Sequence, residues 1–183
     1  MYRERCRPKY TDEQLAEIYK EPWSMQYDWK DHALRQNKTL ELAGRFLTAN
    51  DRTGADLSCG DGYICRHIPH VNWILGDFAP GYAYQGPIED TIREIPEVDV
   101  FICCETIEHL DDPDAVLRAI RWKAKKLILS TPICRWFDEN PQHYWSWCQK
   151  AVKKMLLDSG WNPVDYEETY ADPGYCFQIW GCQ

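Results

Sequence analysis

The stretch TGADLSCGDGYICRHI, residues 53–68, decides how the rest of the chain is read. It opens as a short apolar run, breaks on Gly60 and Gly62, and resumes with helical spacing. That pattern predicts a buried strand over 54–58, a glycine turn and a helix over 62–68. A strand that opens through glycines onto a helix start turns backbone N–H groups outward and lets a ligand approach the main chain. Two glycines alone are a weak signal, and Ser58 stands where such a loop is expected to carry its first glycine. The next apolar run, NWILGDF (72–78), adds weight by delivering Asp77. An acid about twenty residues past such a loop can accept hydrogen bonds from the hydroxyls of a ribose. Loop and acid in one strand–loop–helix–strand unit point to a nucleoside-containing ligand.

Working outward, short apolar runs alternate with helical segments: strands over 71–75, 98–104 and 126–131, helices over 113–122 and 146–159. Such alternation predicts a parallel sheet with helices on its faces. Before it lie two helical patterns, 11–21 with Thr11 as cap and about 31–48. Asp112, Pro113 and Asp114 mark a helix start, and Gly160 marks a stop. The runs PVDYEETY and YCFQIWGC, joined by ADPG, predict an antiparallel finish. A chain of 183 residues suits one domain.

Composition narrows the function classes. With 44% hydrophobic and 27% charged residues the chain reads as globular, and no apolar run reaches the roughly 20 residues of a membrane span. The basic N-terminus is not followed by an apolar stretch, so a cytoplasmic protein is expected. Nine cysteines occur without a C-x-x-C pair, which removes the zinc-ribbon and thioredoxin readings and suits small buried hydrophobes in a reducing compartment. The net charge of −8 makes the chain a poor general binder of polyanions, so nucleic acid is disfavoured as a partner.

The segments ADLSCGDG, WILGDFAP, VDVFICCETIEHLDDPDAVLRAI and LILSTP resemble, in order, the motifs of class I S-adenosylmethionine-dependent methyltransferases. The likeness covers about residues 39–183 and is nearest in texture to the ubiquinone-biosynthesis-type small-molecule branch. It implies an α/β, Rossmann-like sheet, mostly parallel with a C-terminal antiparallel strand and helices on both faces. Residues 1–38 would form an N-terminal helical lid, with Trp23, Trp29 and His32 over the pocket. The implied cofactor is S-adenosylmethionine and the implied partner a small molecule or small exposed group. Asp56 and the turn Ser58, Cys59, Gly60 and Gly62 would hold the methionine end. Asp77 would bind the ribose, Phe78 would flank the adenine, and Glu105 would line the cofactor site. Pro87 replaces the acid that usually meets the adenine amine, leaving Ile88 and Glu89 as substitutes.

Methyl transfer is an in-line displacement that needs a positioned nucleophile and sometimes a base. Glu105, Glu108 and His109 follow one strand and His143 lies beyond the next, where open α/β sheets bind ligands. His109 and His143 are the catalytic candidates. ETIEH also resembles the E-x-x-E-H signature of small-RNA 3′-terminal 2′-O-methyltransferases, which hold a divalent metal with a later histidine, here His143. Those enzymes carry a second histidine close before it, which NPQHYWSW lacks, so a metal-free site is preferred. Two more readings compete. Ser58 and Pro87 are the warrant for a catalytically silent binding module, and the missing third glycine disfavours a nicotinamide oxidoreductase. QHYWSWCQK is expected to start a helix at Ser146, with Tyr144, Trp145 and Trp147 roofing the site. Apart from that lid role of His32, His32, His67 and His70 read as structural or solvated.

Overall fold

A computed structural model describes residues 2–20, 30–133, 140–172 and 175–183; Trp23 and Trp29 lie outside them. Four strands run parallel: β2 (Thr53–Asp56), β3 (Asn72–Asp77), β5 (Val98–Cys104) and β6 (Ala124–Pro132). β4 (Tyr84–Gln85) extends them beside β3, β9 (Tyr175–Cys182) joins β6 antiparallel, and β8 (Pro163–Asp172) closes the far edge against β9. The order is β4-β3-β2-β5-β6-β9-β8, so the mostly parallel sheet with an antiparallel C-terminal finish is as expected.

Strand alternation explains the two cores. Val100 and Ile102 point to one face with Ile128 and Ile179, where they meet Leu42 and Phe46 of α2 (Lys30–Phe46) and Ile64 of α3 (Tyr63–Arg66). Phe101, Cys103, Leu127 and Leu129 point to the other face. There they pack on α4 (Ile88–Glu94), α5 (Pro113–Lys123) and α6 (Gln149–Asp158). Because both faces are covered, β5 and β6 read as nearly continuous apolar runs.

Three local expectations change. The helix expected over 62–68 is the single turn α3, because Gly62 at its N-cap is left-handed (φ 72°) and His67 already leaves helical geometry. The helix near the N-terminus is α1 (Asp12–Ile18), held by a capping box between Thr11 and Gln14. The third change is larger. Trp145–Trp147 is not a helix start but a strand, β7, paired antiparallel with β1 (Arg3–Arg5), and α6 begins after Cys148. A partner about 140 positions away supplies the ladder, which local pattern cannot reveal. β4 and α4 were not expected from the sequence at all.

The eight described cysteines are all free thiols, and Cys65, Cys103, Cys176 and Cys182 are buried, as small hydrophobes would be. Among the described residues no helix is long and apolar enough to cross a membrane.

Two glycines test this packing. A Cβ at Gly76 would sit 2.6 Å from the Tyr84 carbonyl and 2.9 Å from a Leu57 methyl, whereas one at Gly44 meets nothing within 4 Å. In urea unfolding, Gly76→Ala is expected to cost about 1–3 kcal/mol, from overpacking. Gly44→Ala, in an exposed helix position, should add about 0.5–1 kcal/mol.

Candidate functional site

The carboxyl ends of β2, β3, β5 and β6 open into one cavity of about 230 Å³, far more than the ~10–15 Å³ a single water needs. Its wall includes every cofactor-binding and catalytic candidate expected from the sequence except Gly62, the cap of α3. Gly60 and Gly62 have φ of 57° and 72°, left-handed conformations that glycine adopts without the cost a side chain brings.

The loop is tied to the next strand. Gly60 N–H donates to Asp77 Oδ2 (2.7 Å) and Ala79 N–H to Asp77 Oδ1 (2.9 Å), so the acid is fixed from two sides. Each oxygen keeps a further lone pair for a ligand hydroxyl. Asp56, at the end of β2, accepts from Ser58 N–H (3.1 Å). Ser58 Oγ accepts from Thr106 Oγ1 at 2.7 Å, and the Cys104 carbonyl lies 3.0 Å from that same Thr106 hydroxyl. The serine therefore cross-links the loop after β2 to the loop after β5. Phe78 meets Tyr19 at 5.3 Å between ring centroids, and Pro87 caps α4, whose Ile88 and Glu89 face the cavity.

The sequence reading missed Arg35 on α2. It is 3% exposed, reaches the cavity wall, and its Nε has no hydrogen-bond partner among the described residues. Glu105 Oε1 stands 4.0 Å from it and accepts from Ser130 Oγ (2.8 Å). Glu105 sits at φ 53°, a left-handed conformation rare outside glycine. Burial raises its carboxyl above the usual range, and Arg35 opposes that rise. His32 lines the cavity with a ring nitrogen 3.1 Å from Arg35 Nη2. Burial, helped by the Arg35 charge, pushes His32 down to about 4, so the neutral ring accepts. A buried arginine on the face of a helix carries no motif; only the packing of α2 over β6 reveals it.

Glu108, His109 and His143 also come together in the cavity wall, with one ligand atom from each within 4.8 Å of the others. Glu105 is not among them; it turns to Arg35. Trp147, expected as a roof, is buried in the core. Its indole N–H donates to Thr131 Oγ1 (3.1 Å), which donates to Glu108 Oε2 (2.9 Å). Trp145 also faces away from the cavity, stacked under Arg3 and Arg5. Tyr144 does line it, and its N–H donates to the Glu108 carbonyl at 2.7 Å. His109 Nδ1–H donates to the Gln142 carbonyl (3.0 Å), which leaves the lone pair on Nε2, 3.9 Å from Glu108 Oε1. His143 Nε2 accepts from Asn140 Nδ2–H (3.0 Å), and the two imidazoles meet edge-on at 4.8 Å.

The cysteines here are not nucleophiles. Burial pushes the Cys104 thiol up to about 12 and that of Cys59 higher, so both stay protonated. Burial also raises Asp56 to about 7, opposed by the Ser58 amide. Folding thus favours the protonated acid, and the stability it contributes is lost as pH rises from about 4 through 7. Unfolding free energies measured across that window should fall more steeply for the wild type than for Asp56→Asn.

No protein-family model and no curated protein matches this chain. Solved structures do. The 1,6-didemethyltoxoflavin-N1-methyltransferase of Burkholderia thailandensis superposes with a TM-score of 0.72 at 12% identity, over 96% of this chain and 91% of that one. Magnesium protoporphyrin IX methyltransferase of Synechocystis PCC 6803, with SAH bound, gives 0.71 at 12% identity, over 94% and 100%. The [4+2]-cyclase SpnF gives 0.66 at 11% identity, over 80% and 79%, so the likeness is not confined to methyltransferases. At this identity the matches establish architecture: the chain has the Rossmann-like fold of class I methyltransferases.

Proposed function

We propose that the protein binds S-adenosylmethionine and transfers its methyl group to a small molecule. The observation that carries this reading is the buried Arg35 Nε–H beside Glu105, in a cavity whose wall also holds Asp77. An amino-acid head group has a carboxylate for a guanidinium and an ammonium for a carboxylate, and both partners wait there. Asp77, fixed by two backbone amides, suits ribose hydroxyls, and Phe78 offers an apolar face for a base. Asp56 with the turn Ser58, Cys59, Gly60 and Gly62 would support the methionine end; Ile88 and Glu89 would border the base. The donor set therefore fits the cofactor. Bound, it would supply an electrophilic methyl group on a sulfonium. His109 Nε2, its tautomer fixed by the Gln142 carbonyl, would take a proton from the acceptor, and His143 would brace it. Lys9, Asp12 and Leu15, on and just before α1, line the mouth as a lid would.

In calorimetric titration, S-adenosylhomocysteine is expected to bind the wild type, and Arg35→Ala or Asp77→Ala each to weaken it at least about tenfold by loss of a charge-assisted bond. Absence of binding heat with millimolar ligand would sink the reading.

A second reading has one observation in its favour. Glu108, His109 and His143 form a carboxylate–imidazole set of the kind that holds Mg²⁺ or Mn²⁺. Under it the protein would be a metal-dependent methyltransferase, with nucleic acid as one acceptor class. Spin-resonance titration with Mn²⁺ should then show a bound signal that His109→Ala removes; under the first reading the Mn²⁺ stays free.

A further inference from the structure

We infer that the chain pairs with a second copy of itself through the outer surface of α4, α5 and α6, about a two-fold axis running along α5. The inference is independent of the methyl-transfer reading.

The three helices cover one face of the sheet and share one core. α5 lies in the middle, tied to both neighbours at its last turn. Lys123 Nζ donates to the Arg93 and Ile95 carbonyls at the end of α4, at 3.3 and 2.6 Å. Arg121 Nε donates to the Gly160 carbonyl just past α6, at 3.0 Å. Ile120 points into the core, so Arg118 and Trp122, each about 200° around the helix from it, point outward. Trp122 is accordingly 84% exposed, and Leu157, in the last turn of α6, is half exposed. An indole is among the side chains that gain most from burial at a contact between proteins.

The charges on this face divide by side. α5 and α6 expose Arg118, Arg121, Lys150, Lys153 and Lys154, with Asp158 paired to Lys154. α4 and the turn after it expose Asp90, Glu94 and Glu97, with Arg93 paired to Asp90 at 3.8 Å. A nucleic acid or an anionic lipid surface laid on this face would meet both signs, and the chain's net charge of −8 opposes it further. The complement of the face is the face itself. Rotation by half a turn about an axis along α5 sets α4 of each copy against α6 of the other, acid against base on both sides at once. It also sets Trp122 against its own mate. An axis across the helices would place like charge on like. The indoles then form the apolar centre and the ion pairs the rim, the arrangement of specific interfaces.

Such pairing leaves the cavity open. α5 runs from the carboxyl end of β5 back to the start of β6, so Trp122 lies at the edge of the sheet away from the cavity.

The test is sedimentation velocity of the full chain over a concentration series. A dimer is expected, weakened at least about tenfold by Trp122→Asp, which replaces the central contact with two facing carboxylates. Glu94→Lys and Lys153→Glu should each weaken it at least about fivefold, since each contact occurs twice across the axis, and the double variant should return to within about threefold of the wild type. All three positions are exposed, so these changes leave the core filled. A monomer at every concentration, a dimer indifferent to Trp122→Asp, or a double variant no better than the single ones overturns the inference. Assemblies that keep growing with concentration overturn the two-fold arrangement. Association with heparin or anionic vesicles in place of self-association would give the face to a polyanion and overturn it too.

Discussion

The hydrogen bond from the Gly60 amide to Asp77 is the constraint on which the cavity depends. It joins the loop leaving β2 to the end of β3, and parallel pairing of those strands brings both ends to one edge. The loop reaches Asp77 only by turning through the left-handed conformations of Gly60 and Gly62. Gly76 lets β3 and β4 close up just before the acid. Parallel strands all end on the same side, so β5 and β6 add Glu105, Thr106 and Ser130 to the same edge.

Burial then decides how these groups behave. Asp56, Asp77 and Glu105 all have their protons held more tightly by desolvation; Arg35 is the buried cation set against Asp56 and Glu105, and backbone amides oppose the rise at Asp77. Desolvating such groups costs free energy unless they are paired, and here the pairing is incomplete at Arg35 Nε. A ligand carrying opposite charges in fixed positions relieves that cost, which is why the site's polarity speaks to a ligand and not only to stability.

The N-terminal segment builds the second half of the cavity. β1 pairs with β7, Arg7 donates to the His143 carbonyl at 2.6 Å, and Tyr10 N–H donates to the Tyr144 hydroxyl at 3.0 Å. Arg3 and Arg5 anchor the strap to Asp114 and Asp111 beside the start of α5. His143 is thereby held between this strap and the turn that carries Glu108 and His109.

The sequence by itself determined the parallel sheet, its antiparallel finish, the glycine turn and the acid after β3. Each of these is written in local periodicity or in spacing along neighbouring elements. It could not determine that Trp145–Trp147 is a strand, that Trp147 reaches Glu108 through Thr131, or that Arg35 faces Glu105. It also left Ser58 open, and the fold sets its hydroxyl to accept from Thr106. Those features depend on residues 16 to about 140 positions apart, joined by pairing and packing that no local pattern encodes. Only the tertiary structure decided them, because pairing and packing bring together residues far apart in the chain.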